Sequence, residues 1–231
     1  YYYYTYINYF DASRPTVNFS VPTGNFGDIY AGYVSYKMGL PVNKLIIATN
    51  ENDILHRFMN TGVYETEDVK KTTSPSMDIQ IASNFERLLF DIMNQSNEKT
   101  ALAMNLFEEK GKLTVEQQDL NMISNIFTSV STYQEDVDKI ILNVHETHSY
   151  LTDPHTATGI NASRKINDSD HMNFILSTAH PVKFSETVEK AVGKNLDLLG
   201  NYKDLFSKKE KIHAIKNNTD EVKKFILENK N

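Results

Sequence analysis

The chain has 231 residues, of which 40% are hydrophobic and 23% are charged, as in an ordinary globular protein. Its net charge of −6 at pH 7 argues against general nucleic-acid binding, which needs a basic face. The absence of cysteine excludes disulfides and thiolate chemistry, and no apolar run is long enough to span a bilayer. We therefore expect a cytoplasmic protein that has no nucleic-acid or membrane partner.

The start of the chain is unusual, because four tyrosines stand there without a methionine. Residues 1–10 lack the basic start of a signal peptide and the arginines of a transit peptide. They resemble the end of an apolar helix. We therefore expect the sequence to be a fragment or a processed product of a longer protein.

A βαβ unit is predicted near the start. Residues 17–21 alternate between apolar and polar as a strand does, and residues 28–38 have apolar positions near the helical period of 3.6. The continuous apolar run at 44–48 is typical of a parallel strand that is covered on both faces. Gly39 and Pro41 end the helix between the two strands.

The rest of the chain is predicted to be mostly helical. The predicted helices are 54–60, 83–93, 100–110, 116–130, 133–147, 184–192 and 220–228. A capping box at Ser83 and Glu86 opens the second of them, and a further helix is predicted to start at Asp153-Pro154. A buried strand is predicted at 173–177. We divide the chain into a βαβ core at 1–93, a helical insertion at 94–150, and the remaining α/β part with a polar tail at 151–231. The order of elements predicts the α/β class.

The sequence PTGNFGD at 22–28 joins the first strand to its helix. Free backbone N–H groups and the positive end of a helix dipole bind anions, most often phosphate, and Gly24 and Gly27 allow a tight turn and close approach to a ligand. The motif is neither a P-loop nor Gly-x-Gly-x-x-Gly. The alternative is an ordinary turn that Asp28 caps. Because phosphate repels a carboxylate, we expect Asp28 to cap the helix and shape the loop rather than contact the phosphate.

Other polar residues are weaker candidates. Thr178 and His180 follow a predicted strand, where α/β folds place ligand groups, although both residues could simply make turn hydrogen bonds. Asp153 and His155 are more typical of a helix cap than of a catalytic pair. His145 and His148 lie three residues apart, but no third ligand is evident, so we predict no metal site.

Several motifs together resemble a known family in both order and spacing. They are VPTGNFGDIYAG (21–32), KMGLP (37–41), ATNENDIL (48–55), SPSMDI (74–79), SNFERLL (83–89), DPHTA (153–157) and LSTAHPVKF (176–184). With them the chain resembles the C-terminal part of threonine synthase, in the longer subtype of fungi and many bacteria. The likeness is strong over 1–93 and 150–192.

The resemblance implies the second fold type of pyridoxal-phosphate enzymes, which is tryptophan synthase β-like, here truncated at its N-terminus and carrying a helical insertion. It implies pyridoxal 5′-phosphate as cofactor and conversion of O-phospho-L-homoserine and water to L-threonine and phosphate, a carbon–oxygen lyase reaction that ends threonine biosynthesis. Thr178 would face the pyridine nitrogen. The cofactor phosphate would bind at Gly24, Asn25, Phe26, Gly27 and Asp28.

One departure from the family bears on catalysis. The lysine that forms the Schiff base belongs to a segment upstream of the phosphate loop, yet only 23 residues precede Gly24 here and none is lysine. We therefore expect no catalytic residue within the chain and no activity of the chain alone. A related phospho-lyase that acts on another phosphorylated amino acid, or a non-catalytic remnant, is the alternative.

Overall fold

The computed structural model describes residues 1–11, 13–196, 202, 204 and 207–230. Contacts divide the chain into two compact units, Tyr1–Leu196 and Asp197–Asn231. The helices are α1 Tyr2–Tyr9, α2 Gly27–Lys37, α3 Ile54–Thr61, α4 Phe85–Ile92, α5 Asn97–Lys110, α6 Gln117–Ser124, α7 Gln134–His148, α8 Pro154–Ile166, α9 Ser185–Val192 and α10 Thr219–Glu228. The strands are β1 Val17–Pro22, β2 Val42–Thr49, β3 Val63–Glu65, β4 Lys112–Thr114, β5 Phe127–Ser131 and β6 Met172–Ile175. Within this described part, no helix is both long and apolar enough to cross a membrane.

The main sheet of the first unit has four parallel strands in the order β5-β2-β1-β6. Every residue of β1 is buried, and Phe19 at its middle is paired with Leu45 of β2 and with Phe174 of β6. The predicted βαβ unit is therefore confirmed, with α2 connecting two neighbouring parallel strands. β2 is an inner strand of the sheet and is covered on both faces. Its sequence therefore contains a continuous apolar run, because neither face contacts solvent there.

Alternate residues of β2 face two separate apolar clusters. Leu45 and Ile47 belong to the large core, which contains most of the buried aromatic side chains. Ile46 and Ala48 belong to a small cluster on the other face, where they meet Ala162 of α8. The period of two along a strand produces this division, and the sheet therefore carries helices on both faces.

The predicted helix at 116–130 is wrong in its second half. Helix α6 ends at Ser124, and β5 then pairs with β2 at the edge of the main sheet. The segment Phe127–Ser131 contains β-branched and hydroxyl residues that suit a half-buried pleated surface, and the free edge of β2 supplies its partner. The segment 94–150 is therefore not purely helical, since β4 also pairs with β3. The division at 1–93, 94–150 and 151–231 stays a prediction.

Two further predictions concern the end of the chain. The strand predicted at 173–177 is present as β6, but it is a half-buried edge strand rather than a fully buried one. The last helix is confirmed as α10 in the second unit. The polar tail predicted over 194–231 includes residues 197–201, 203, 205, 206 and 231, which lie outside the described residues.

Candidate functional site

The candidate site lies at the carboxyl ends of two adjacent strands. β1 and β6 are parallel neighbours, so the loop that follows β1 and the loop that follows β6 leave the sheet at the same edge. The connection through α2 leads from β1 to β2 on one side, whereas β6 lies on the other side of β1. Ligands of open α/β sheets bind at such a reversal of strand order.

The loop after β1 presents unpaired main-chain donors. The first N–H of α2 that donates within the backbone is that of Tyr30, which reaches the carbonyl of Phe26 at 3.1 Å. The six amides of residues 24–29 donate to no acceptor in the part of the chain that the structure describes. They adjoin the positive end of the α2 dipole, an arrangement that binds anions.

Phe26 makes the turn in this loop. Its φ of 64° lies in the left-handed region, and its buried ring packs against Phe85 and Phe127, with ring centroids 5.9 Å away in both cases. We expected Gly24 and Gly27 to supply the turn through their conformational freedom, and this is wrong, because neither has a positive φ. The sequence named Phe26 as a site residue but did not predict its role in the turn, because its left-handed backbone is stabilised by packing against residues distant in the sequence.

The two glycines instead allow close packing behind the loop. A Cβ on Gly24 would lie 2.9 Å from the carbonyl oxygen of Ser76 and 3.1 Å from the Cα of Met77. A Cβ on Gly27 would lie 3.1 Å from Nδ2 of Asn84. Both glycines therefore allow close packing against neighbouring protein segments, and the predicted close approach to a ligand stays a prediction.

Ser83 and Asn84 support the loop, and the capping box predicted for Ser83 and Glu86 does not form. The carbonyl of Asn25 accepts hydrogen bonds from the backbone N–H and from Nδ2 of Asn84, at 3.1 and 3.0 Å. The side chain of Asn25 accepts from the N–H and hydroxyl of Ser83, at 3.2 and 3.3 Å. Helix α4 begins after Asn84 without a side-chain cap. Ser83 and Asn84 thus donate hydrogen bonds to the loop after β1 rather than to their own helix.

A second group of polar residues holds the segment against which Gly24 packs. The carboxylate of Asp78 accepts hydrogen bonds from Nδ2 of Asn50 at 2.8 Å, from Nδ2 of Asn52 at 3.0 Å, and from both the N–H and the hydroxyl of Thr72. Asn50 and Asn52 follow β2 directly, so this network ties its carboxyl end to the turn at 75–77. Sequence reasoning missed this role; two asparagines directly after a buried strand were the available signal.

A cavity of about 440 Å³ adjoins the loop and brings two of the predicted site residues together. Asp28 and Thr178 both line it, whereas residues 24–27 lie outside its lining. The other lining residues are Tyr1, Tyr2, Thr5, Phe19, Phe174, Ile175, Leu176 and Ser177. The rings of Phe19 and Phe174 are stacked with centroids 5.4 Å apart. The cavity therefore combines aromatic surface with hydroxyl groups, and the described residues that line it include no lysine.

Asp28 does not cap α2, so that expectation is wrong. Its carboxylate instead accepts a hydrogen bond from the hydroxyl of Tyr2 at 3.2 Å, and the same hydroxyl donates to the carbonyl of Asp28 at 2.9 Å. Burial raises the pKa of Asp28 above its ordinary value, and the hydrogen bond from Tyr2 opposes that rise. Burial likewise raises the pKa of Tyr2, which keeps its phenol protonated as a donor.

The loop after β6 contains the remaining candidates. Thr178 is exposed and lines the cavity. Nδ1 of His180 accepts a hydrogen bond from the N–H of Val182 at 3.2 Å, so His180 makes the turn bond that we considered for it. That bond begins the short helix at 181–184.

Asp153 caps α8, as predicted. Its carboxylate accepts hydrogen bonds from the N–H and from Nδ1 of His155, both at 2.9 Å, and from Thr156. Burial alone would raise the pKa of Asp153, but these hydrogen bonds outweigh it and the pKa is lowered. His145 and His148 lie on α7, and no group of three or more potential metal ligands occurs among the described residues.

Comparison with known proteins gives consistent matches. Residues 156–226 match the family model described as "Threonine synthase, C-terminal". Threonine synthase of Pseudomonas aeruginosa is 43% identical over 222 residues, which are 95% of this chain and 47% of that protein. The structure of PLP-bound threonine synthase from Brucella melitensis superposes with a TM-score of 0.89 at 39% identity, covering 98% of this chain and 49% of the other. The structure of threonine synthase from yeast superposes with a TM-score of 0.84 at 36% identity, with the same coverage of both chains.

These matches define the class and then the family. The parallel sheet and the loop at its switch point form the α/β architecture of the second fold type of pyridoxal-phosphate enzymes. Within that class, the chain belongs to the threonine synthase family. It spans about half the length of the curated relatives that it matches, and it corresponds to their C-terminal half.

Proposed function

We propose that this chain is part of a threonine synthase, in which it binds the phosphate of pyridoxal 5′-phosphate. The observation that carries this proposal is the set of six unpaired amides at residues 24–29, next to a cavity that Thr178 lines. A phosphate group fits these donors because they converge at the positive end of the α2 dipole. The similarity to a threonine synthase that is PLP-bound supports the same assignment.

The residues of the chain would orient the cofactor. The amides of the loop would bind the phosphate, and the hydroxyl of Thr178 would hydrogen-bond the ring nitrogen. Phe19 and Phe174 provide an aromatic wall for the cavity. When bound, the cofactor supplies an electron sink for carbanions of the substrate. A hydroxyl partner does not require the ring nitrogen to be protonated.

The proposed reaction is conversion of O-phospho-L-homoserine and water to L-threonine and phosphate. It is a lyase reaction that needs a lysine for the Schiff base, and we propose that this lysine lies outside the chain, because none of the described residues that line the cavity is a lysine. The isolated chain is therefore proposed to bind the cofactor without turning substrate over. A cytoplasmic location stays a prediction.

Cofactor binding tests the phosphate part of the proposal. Pyridoxal 5′-phosphate and pyridoxal, which lacks the phosphate, are titrated into the chain and followed by absorbance. We expect the phosphorylated compound to bind at least roughly tenfold more tightly, because the amides have no other partner. Thr178→Val should weaken binding, whereas Thr187→Val, at a half-buried position of α9 outside the cavity lining, serves as the control. Equal affinity for both compounds would show that the loop does not bind phosphate.

Substrate specificity tests the reaction. The longer protein that contains this chain should release phosphate and form L-threonine from O-phospho-L-homoserine in the presence of the cofactor. O-phosphothreonine and O-phosphoserine are the comparison substrates. Faster phosphate release from either of them would assign a different phospho-lyase activity, and turnover by the chain alone would disprove the proposed position of the lysine.

A further inference from the structure

The first turn of α2 contains a carboxylate that does not use the nearby amides. Asp28 is the second residue of the helix, where a carboxylate is attracted by the positive helix end and by free N–H groups. Its side chain nevertheless makes no capping hydrogen bond. The hydroxyl of Tyr2 reaches both the carboxylate and the carbonyl of Asp28 instead.

The phenol of Tyr2 is held in place by packing. Tyr2 is only 3% exposed, and the edge of its ring meets Phe19 with centroids 4.8 Å apart. The ring lies so close to α2 that a Cβ on Gly32 would be 2.8 Å from it. Because the ring cannot shift easily, its hydroxyl fixes where the carboxylate of Asp28 lies.

The position of this carboxylate matters for an anion in the loop. A released carboxylate in the first turn could hydrogen-bond the amides itself, and it would repel a bound phosphate through its charge. Either effect reduces the affinity of the loop for phosphate. A neutral side chain of the same shape would not repel the phosphate.

We propose that Tyr2 is a positioning residue that holds the carboxylate of Asp28 away from the N-terminus of α2 and so keeps the loop amides available for a phosphate group. This inference rests on the proposed function, since it concerns the same phosphate site. It assigns a role to a contact between residues 26 positions apart, on two different helices.

A double-mutant cycle tests the inference, with pyridoxal 5′-phosphate and inorganic phosphate as probes at pH 8. Tyr2→Phe should weaken binding of both probes by roughly fivefold, a factor that corresponds to about 1 kcal/mol. Asp28→Asn should bind both probes more tightly than the unmodified protein, because it removes a negative charge beside the proposed phosphate site. In the Asp28→Asn background, Tyr2→Phe should have no further effect, because no charge remains to be held.

Tyr3→Phe is the matched control. The hydroxyl of Tyr3 also connects α1 to α2, donating to the carbonyl of Met38 at 2.9 Å, but it does not contact Asp28. It should lower the stability of the protein about as much as Tyr2→Phe and leave phosphate affinity unchanged. The thermal unfolding of all four variants separates loss of affinity from loss of fold.

Three results would overturn the inference. If Tyr2→Phe weakens binding equally with and without Asp28, Tyr2 acts by another route. If Tyr2→Phe does not change the affinity in either background, the hydroxyl of Tyr2 has no influence on phosphate binding. If the unmodified protein binds neither probe, the proposed phosphate site is itself wrong, and this inference fails with it.

Discussion

Phe26 has a backbone conformation that phenylalanine rarely adopts. The left-handed region costs a residue with a Cβ about 1–2 kcal/mol. Full burial of the ring against Phe85 and Phe127 offsets that cost. The shape of the loop at residues 24–28 therefore depends on the core of the first unit.

Alanine at each loop glycine gives a direct test of this packing. Gly24→Ala should lower the free energy of unfolding by about 1–3 kcal/mol, because its Cβ would meet the backbone of Ser76 and Met77. Gly27→Ala should cost less than about 1 kcal/mol, because the nearest atom belongs to the amide side chain of Asn84. Denaturant unfolding of both variants measures the difference, and equal losses would contradict it.

Asp168 lies at the opposite edge of the sheet and gives a prediction for pH. Hydrogen bonds from Asn18 at 3.0 Å and from His171 at 2.9 Å lower the pKa of Asp168 to about 2. A carboxyl group whose pKa is lower in the folded state stabilises the protein above its unfolded pKa, which is about 3.9, and loses that effect as the pH falls.

We therefore expect the stability difference between the unmodified protein and Asp168→Asn to be constant above about pH 5 and to shrink between about pH 4 and pH 2. Unfolding free energies measured across this interval check the prediction. A difference that grows as the solution becomes more acidic would have the wrong sign.

Among the elements, α8 packs closely against the sheet at a glycine. The helix crosses β1 and β6 at Gly159, because a Cβ at this position would lie 3.0 Å from Ile175 of β6 and 3.2 Å from Pro22 of β1. The hydroxyl of Ser20 donates to the carbonyl of Gly159 at 2.7 Å, which fixes the helix at the same point. This contact places the N-terminus of α8 beside the site edge of β1 and β6.

A larger side chain at this crossing should force the helix away from the sheet. We expect Gly159→Val to lower the free energy of unfolding by about 1–3 kcal/mol or more, through overpacking. Arg164→Val introduces the same side chain at an exposed position of α8 and should cost at most about 0.7 kcal/mol. Similar losses in thermal or denaturant unfolding would show that helix propensity, and not the crossing, controls the effect.

At the scale of the whole molecule, the buried core belongs to the first unit. The described apolar residues that are buried all lie between Tyr2 and Val192, and α10 of the second unit has no buried residue. A unit that contains the whole sheet and its own core is expected to fold by itself.

A chain that ends at Leu196 should therefore keep the cooperative unfolding of the first unit, with a melting temperature within a few degrees of the 231-residue chain. Circular dichroism on heating measures both quantities. A broad, non-cooperative transition of the shortened chain would show that residues after 196 contribute to the core.

Sequence by itself determined the features that depend on neighbours along the chain. The βαβ unit followed from periodicity, and the cap of α8 followed from Asp153, because both interactions span only a few residues. The collinear motifs also determined the family. These local signals placed the loop at 24–28 and Thr178 without any knowledge of the sheet order.

Only the tertiary structure decided the rest, because the forces involved act between segments far apart in sequence. The free edge of β2 made a strand of residues 127–131, which the local pattern predicted as helix. Packing against Phe85 and Phe127 stabilises the left-handed backbone of Phe26. The carboxylate of Asp28 was expected to cap α2, but it accepts a hydrogen bond from the phenol of Tyr2, which is 26 residues away. Neither pairing partners nor burial can be obtained from local propensity, since both are fixed only when distant segments meet.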